Sequence, residues 1–315
     1  MLSALTRAVA DGRLGMDERL RVAAERQQRL AELMERNPGE VLRQALSPAA
    51  RAALAPELRG LVEEDESHEG LLEVFHEDGP QGGAYHYAVR KASGQRLALR
   101  FAGGGPNLLT GTSVKVNGIR VEQALALGGS GSVEVLGLPV LPSTFGEHKV
   151  LVILVRFLDT PATTASPTVA SVQATMFGTT GTAVNNFYRE NSYQQTWLTG
   201  TVVGPLLLSM NGASCDYNRM ATLARQAATT VSGVVLAQYR HIVYSFPSSG
   251  CQWWGLGSVG GNARGGMGQR RPLSGGRVAR AGSQLRALSL PRPRVRVGGH
   301  GRVVQQPSTT ATSLT

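Results

Sequence analysis

The amino-acid composition changes abruptly after Asn262, and this break limits what the chain can fold into. Residues 263–315 contain ten Arg but no Asp, Glu, Lys, Phe, Trp or Tyr. A folded domain needs aromatic and branched side chains for its core, and this segment has few of them. We therefore predict that 263–315 is a disordered Arg/Gly/Pro-rich tail and that the ordered part of the chain ends near Asn262.

The formal net charge of +10 comes entirely from this tail. Residues 1–262 hold the remaining 22 Lys and Arg together with all 22 Asp and Glu, so the body of the chain is neutral. Single-stranded nucleic acids are usually bound by basic grooves with aromatic residues among the charges. We therefore expect no specific nucleic-acid partner, although ten Arg would bind polyanions without sequence preference.

Two cysteines, Cys215 and Cys251, lie in the second half of the chain. They form one disulfide if the protein is exported, or stay as two buried thiols if it is not. The longest strongly apolar run, 150–155, is far shorter than the roughly 20 residues that a membrane-spanning helix needs, so we expect no membrane association. The N-terminal residues include Arg7 and Arg13 and show no apolar signal-peptide core.

The first part of the chain, 1–66, has the pattern of a helical segment. Apolar residues recur at three- and four-residue steps through 17–36, among strong helix formers, which predicts an amphipathic helix. A shorter helix is expected at 40–46. N-cap and first-turn signals predict two more helices, at Ser47-Pro48 and Pro56-Glu57.

From about residue 67 the apolar period changes to two, which predicts a small β-rich module over 67–145. The predicted strands are 72–75, 85–90, 96–101, 113–116 and 119–121. Asn117-Gly118, between the last two, is a strong signal for a hairpin turn. His68-Glu69 and His76-Glu77 are similar to the start of a zinc-binding motif, but neither has the second His that the motif needs. We therefore expect these histidines on the surface or on a strand face.

The second half alternates strand and helix patterns. The run KVLVILVRF at 149–157 is continuously apolar, as expected for the central strand of a sheet that is covered on both faces. Further strands are predicted at 193–205, as one strand or a hairpin, and at 240–246. Helices are predicted at 166–175, 182–190 and 216–230. Together with the β-rich module, this pattern predicts an α+β fold in which an α/β domain begins near 146.

Four stretches of the second half, taken in order, are similar to one known family. They are VLVILVRFLD at 150–159, VNNFYRENSYQQTWLTGTVVGP at 184–205, CDYNRMATLARQA at 215–227 and HIVYSFPSSGCQWWGLGSVGGN at 241–262. The family is that of the gametolysin-type metallopeptidases, which belong to the zincin group. The resemblance implies that 146–262 is the N-terminal part of such a peptidase domain, with an incomplete zincin-like α/β fold. Residues 1–145 resemble the pro-region of bacterial relatives.

The resemblance also implies a function and a site. Gametolysin-type enzymes are secreted zinc endopeptidases that act on extracellular or matrix proteins. It therefore implies a peptide or protein substrate, a zinc cofactor and secretion, and we expect a monomer. In zincins the strand before the active-site helix is an edge strand that pairs with extended substrate. The resemblance gives that role in this chain to Gly255, Leu256, Gly257, Ser258, Val259 and Gly260.

The zinc motif of the family, HExxHxxGxxH, is missing from this chain. In that motif two His one helical turn apart bind zinc, the Glu activates a zinc-bound water and a third His completes the site. After Asn262 the chain has only His300, which has glycine neighbours and no Glu near it. We therefore predict no catalytic residue, no metal ligand and no bound zinc in the chain as printed.

The tail has the composition of a GC-rich gene that is translated out of frame. When every codon boundary is moved one base downstream, Ala279–Arg296 permits HELGHNFGLYHSHALEC, which contains the whole motif, and Gly266–Arg271 permits Ala-Trp-Val-Asn-Gly. The codons of the hidden ligand, base, ligand and ligand would begin at Ala279, Arg280, Ser283 and Ser289. The printed side chains do not replace them, because Ala and Ser are not competent zinc ligands here and Arg is a permanent cation. We infer a one-base insertion near codon 262.

Two main functions are compatible with this sequence. The first is a gametolysin-like metalloendopeptidase that is inactive as printed. The alternative is a non-catalytic binding protein whose basic tail contacts polyanions. A third hypothesis is a non-catalytic relative that still binds peptides through Gly255–Gly260.

Overall fold

The computed structural model describes residues 2–10, 13–80, 82–162, 164, 167–260 and 266–269. Within these residues the chain forms eight α-helices and eleven β-strands, which confirms the α+β class expected from the sequence. None of the helices among these residues combines the length and the apolar character that a membrane span needs. The positions where the hidden zinc motif would begin lie outside the described residues.

Five helices fill the N-terminal segment. They are α1 (Leu2–Ala10), α2 (Met16–Arg36), α3 (Pro38–Gln44), α4 (Pro48–Ala52) and α5 (Pro56–Arg59). All except α1 match a helix predicted from the sequence. Side-chain caps explain where two of them begin, because Asn37 accepts a hydrogen bond from the N–H of Glu40 at 3.1 Å and Ser47 accepts one from that of Ala50 at 3.2 Å.

A buried ion pair between Arg26 and Glu63 fixes these helices to the start of the first strand. Both side chains are fully buried, and the guanidinium contacts both carboxylate oxygens, with Nη2 2.9 Å from Oε1. Glu63 also accepts a hydrogen bond from the N–H of Leu46 at 2.5 Å, and Arg26 donates one to the carbonyl of Gln44 at 2.9 Å. Burial would raise the pKa of Glu63, but these hydrogen bonds and the charge of Arg26 outweigh it and lower that pKa.

Six strands follow the helices and share a hydrophobic core that includes Leu72, Leu97 and Leu125. They are β1 (Glu64–Gly79), β2 (Gly82–Arg90), β3 (Arg96–Phe101), β4 (Ser113–Val121), β5 (Ala124–Leu127) and β6 (Val133–Gly137). β1 begins slightly before the predicted start of the β-rich module at 67. We call β1 to β6 the N-terminal sheet module.

The hairpin predicted at Asn117-Gly118 is wrong. β4 runs straight through both residues and pairs with β1, where Ser67 lies opposite Asn117 and Glu66 lies opposite Gly118. The glycine permits close packing instead of a turn, because a Cβ on Gly118 would overlap the carbonyl oxygen of Ala126 on β5. Pairing with a distant strand has overridden the local turn signal.

The second half contains a three-stranded parallel sheet in the order β9-β7-β8. Its strands are β7 (Gly146–Phe157), β8 (Thr196–Leu208) and β9 (His241–Phe246), and its helices are α6 (Val169–Phe177), α7 (Val184–Asn191) and α8 (Tyr217–Ser232). The central strand β7 is buried on both faces, as predicted. Leu151 and Ile153 share a core with α8, whereas Val150 and Val152 share one with α6 and α7. The stretch predicted as one strand or a hairpin at 193–205 is a single strand, β8, which begins three residues later, at Thr196.

Two short strands lie between this sheet and the N-terminal sheet module. β10 (Gly255–Ser258) pairs antiparallel with β1, which gives a seven-stranded mixed sheet in the order β6-β4-β5-β3-β2-β1-β10. β11 (Gly266–Gln269) pairs antiparallel with β10 and parallel with β9, so it joins the two sheets edge to edge into one sheet of eleven strands. Since β11 lies within 263–315, the expectation of a tail without structure is corrected for Gly266–Gln269.

Candidate peptide-binding strand

The six candidate residues lie in β10 and directly after it. Gly255–Ser258 form the strand and are all buried, and Val259 and Gly260 follow as half-buried residues. Gly255 and Gly257 leave space for neighbouring backbones, as a glycine-rich strand permits, whereas Leu256 is buried in the core of the second half. The resemblance implies a strand at Gly255–Gly260, and four of the six residues, Gly255–Ser258, form one.

The segment before β10 is fixed by a disulfide and a buried indole. Cys215 and Cys251 are bonded, with their Cα atoms 4.9 Å apart, so the disulfide is the correct one of the two alternatives that the sequence left open. Trp253 packs edge-to-face on Phe246, with ring centroids 5.8 Å apart, in the core that lies against α8. These contacts anchor the chain at the point where β10 begins.

The strand expected to be a free edge is paired with another part of the same chain, and this corrects the expectation. In β1, Phe75 lies opposite Ser258 and Asp78 lies opposite Gly255. Hydrogen bonds extend the pairing at both ends. The N–H of Trp254 donates to the carbonyl of Asp78 at 2.6 Å, and the N–H of Val259 donates to the carbonyl of Val74 at 2.8 Å. With β11 on its other side along Gly255–Gly257, β10 is paired on both sides there.

A loop of the N-terminal sheet module covers the end of the candidate segment. The N–H of Thr110 donates to the carbonyl of Val259 at 3.0 Å, and the Thr110 hydroxyl bonds to the backbone of Val74. Gly260 has φ of 69°, and a Cβ there would lie 2.6 Å from the Leu109 side chain. Only glycine fits this conformation and this space easily, so the module contacts the candidate segment from Trp254 to Gly260.

Phe75 is the side chain of β1 that enters the core of the second half. It packs against the α8 side of the parallel sheet, where its ring centroid lies 6.2 Å from that of Tyr217 and 5.5 Å from the guanidinium carbon of Arg96. We call the surroundings of this ring, formed by Arg96, Tyr217 and Leu256, the Phe75 socket. Sequence reasoning missed this contact because it depends on strand pairing far along the chain.

The Phe75 socket lies between two cavities, of about 780 Å³ and 360 Å³. Phe75, Arg96, Tyr217, Asn218 and Leu256 line both of them. Arg96 crosses this region, because it bonds to Glu73 of β1 at 2.5 Å and to the side-chain oxygen of Asn218 on α8. The packing between the N-terminal sheet module and α8 is therefore open on both sides of one aromatic ring.

Zinc, the cofactor that the resemblance implies, does not fit the residues present. Among the described residues, no three His, Cys, Asp or Glu side chains are placed to hold a metal ion. The histidines of β1 and β2 have acidic partners within the module, with His76 3.4 Å from Asp78 and His86 2.7 Å from Glu77. Outside the described residues, the printed Ala, Arg and Ser side chains of the hidden motif offer no suitable donor set.

A pair of stacked histidines joins β7 to β9. Nδ1 of His148 lies 3.0 Å from Nε2 of His241, and their parallel rings have centroids 5.3 Å apart. Burial, and then the charge of Arg240, lower the pKa of His148. The expectation that His241 is a structural residue within an apolar strand fits this position, since it supports a neighbouring buried side chain.

The chain matches no protein-family model, and no curated protein matches it.

Proposed function

We propose that this chain is the front part of a gametolysin-type zinc endopeptidase precursor, and that the chain as printed neither binds zinc nor cleaves peptides. The observation that carries the proposal is the pairing of β1 with β10. The resemblance gives β10 the task of pairing with an extended peptide, and an extended segment of the same chain, Phe75–Asp78, is paired with it in register. The backbone of β10 is therefore able to pair with a peptide strand, and β1 of the N-terminal sheet module occupies the position of that peptide.

The order of the elements supports the same proposal. The four stretches that carry the resemblance coincide with β7, with α7 and β8, with the disulfide and α8, and with β9 and β10. A disulfide between Cys215 and Cys251 suits an exported protein. The hidden zinc motif would follow β11, which extends the sheet directly after β10.

The proposed lack of activity rests on the chemistry of the printed residues. A peptidase of this class needs a metal-bound water and a base to attack the peptide carbonyl. Arg280 remains a cation at every physiological pH and accepts no proton. The Ala279 side chain offers no donor atom at all, so these positions supply neither a base nor a complete set of zinc ligands.

Metal content and digestion assays test the proposal. For the purified chain we expect no zinc above background by mass spectrometry and no EDTA-sensitive cleavage of gelatin or casein. A matched chain translated after deletion of one base near codon 262 is expected to bind one zinc ion. A control in which the glutamate codon of that restored motif is changed to glutamine should keep the zinc, because this Glu is the base and not a ligand.

Two outcomes would contradict the proposal. Stoichiometric zinc or EDTA-sensitive digestion in the printed chain would show that it carries a functional site. A restored chain that folds but takes up no zinc would show that the hidden motif is accidental.

A further inference from the structure

The backbone of β1 presents alternate residues to β10. The carbonyls of Val74 and Asp78 accept hydrogen bonds from Val259 and Trp254. In an antiparallel pair the N–H and C=O of one residue point the same way and alternate along the strand. His76, midway between them and opposite Gly257, therefore also directs its N–H and C=O toward β10.

Within Phe75–Asp78, Phe75 is the side chain that packs into the core beside β10, where Leu256 of β10 also lies. On one face, His76 and Asp78 lie opposite Gly257 and Gly255, which have no side chains to select a partner. On the other face, Phe75 enters the core of the second half. The acidic and histidine side chains of this stretch are paired inside the N-terminal sheet module, so the backbone and the Phe75 ring hold the strand.

The surroundings of that ring are suited to exchange. Cavities of about 780 Å³ and 360 Å³ flank the Phe75 socket, so there is open space on both sides of the ring. For exchange, Phe75–Asp78 must also separate from β2, with which it pairs. Tyr217 and Arg96 contact the ring by an edge-to-face and a cation–π arrangement. Both arrangements favour an aromatic ring over an aliphatic side chain.

We propose that β10 accepts a separate peptide strand in place of Phe75–Asp78, and that the Phe75 socket selects an aromatic residue in that peptide. The partner is an extended polypeptide segment with one aromatic side chain and no charge requirement on its neighbours. This proposal rests on the proposed function, since it specifies the peptide that the candidate strand takes.

Fluorescence anisotropy with a labelled peptide of the sequence LEVFHEDG, which copies residues 72–79, tests the exchange. In the wild-type chain the tethered strand competes at an effective concentration of about millimolar, so binding should be weak. His76→Pro removes the backbone donor that faces β10 and should strengthen peptide binding by about tenfold or more. His76→Ala, the matched control, also removes the imidazole but keeps the donor, and should bind the peptide as weakly as wild type does.

Changes in the peptide test the aromatic selection. Replacing its Phe by Ala should weaken binding to the His76→Pro chain by about tenfold, as expected for a buried aromatic anchor. Replacing it by Tyr or Trp should keep binding within about threefold of the original. Equal binding of the Phe and Ala peptides, or equal binding to the Pro and Ala chains, would overturn the proposal.

A photo-crosslinking experiment covers the case in which His76→Pro fails to fold. The same peptide, with benzoylphenylalanine at the Phe position, is added in excess to the wild-type chain and irradiated. We expect crosslinks at Tyr217 or within 253–256, and crosslinks elsewhere alone, or none, would contradict the proposal. None of these measurements needs zinc or cleavage, so they fail or succeed separately from the metal and digestion assays.

Discussion

The buried pair of Arg26 and Glu63 gives a quantitative test of how the helices are attached to the sheet. Arg26→Met keeps most of the side-chain volume and removes the positive charge. It leaves the Glu63 carboxylate buried without its guanidinium partner, while the N–H of Leu46 still donates to it. It also removes the donor that the carbonyl of Gln44 uses.

We expect Arg26→Met to lower the free energy of unfolding by about 3–5 kcal/mol, the usual cost of removing one partner from a buried ion pair. Replacing both partners by apolar residues, with Arg26→Met and Glu63→Leu together, should recover most of that loss because no buried charge is left alone. Urea denaturation followed by circular dichroism at 222 nm measures both values.

The pH dependence follows from the lowered pKa of Glu63. A carboxyl group whose pKa is lower in the folded than in the unfolded chain stabilises the fold above its unfolded pKa, which is about 4.3, and this stability is lost as the pH falls. The wild-type chain should therefore lose stability below about pH 4.3 more steeply than the double variant. A loss under about 1 kcal/mol for Arg26→Met, or a double variant as unstable as the single one, would refute this reasoning.

Three further predictions concern other parts of the chain. The pKa of His148 is lowered in the folded chain, so protonation of His148 destabilises the fold as the pH falls below the unfolded pKa of about 6.5. The melting temperature of His148→Gln should therefore change less between pH 7.5 and 5.5 than that of the wild-type chain. Gly118→Ala should lower the free energy of unfolding, measured by urea denaturation, by about 1–3 kcal/mol because the new Cβ would overlap the carbonyl of Ala126. In the control Gly131→Ala the Cβ meets no atom within 4 Å, so the free energy of unfolding should change by under about 0.5 kcal/mol. Removing 270–315 should abolish salt-dependent retention of the protein on heparin, since the rest of the chain is nearly neutral. Retention that persists would place the polyanion-binding site within 1–269.

Local patterns predicted most of the individual elements. The helix expected at 17–36 is α2 (Met16–Arg36), because its apolar residues repeat with the helical period and bury one face, including Ala23 and Leu30. The run at 149–157 is the central strand β7, because a strand covered on both faces is apolar throughout. In both cases the signal lies within the element itself.

Long-range pairing could not be predicted in the same way. The Asn117-Gly118 signal for a turn is local, but the pairing of β4 with β1 and β5 keeps the backbone extended there. The resemblance implies a strand at Gly255–Gly260, of which Gly255–Ser258 form β10, but the partner of this strand, Phe75–Asp78, lies in another part of the chain. Alternation shows that a stretch is a strand and which residues share a face, but not which strand will lie beside it.

The nucleotide sequence of the gene tests the central claim most directly. If the hidden motif is genuine, its two helical His, its Glu and its third His require adenine as the third base of the printed codons for Ala279, Arg280, Ser283 and Ser289. The Ala codons (GCN) and the TCN codons for Ser accept any third base, so the amino-acid sequence alone does not require adenine there. Resequencing should show adenine at all four positions and one extra base near codon 262, whereas another base at any of the four, with an unbroken frame through codon 262, would contradict the account.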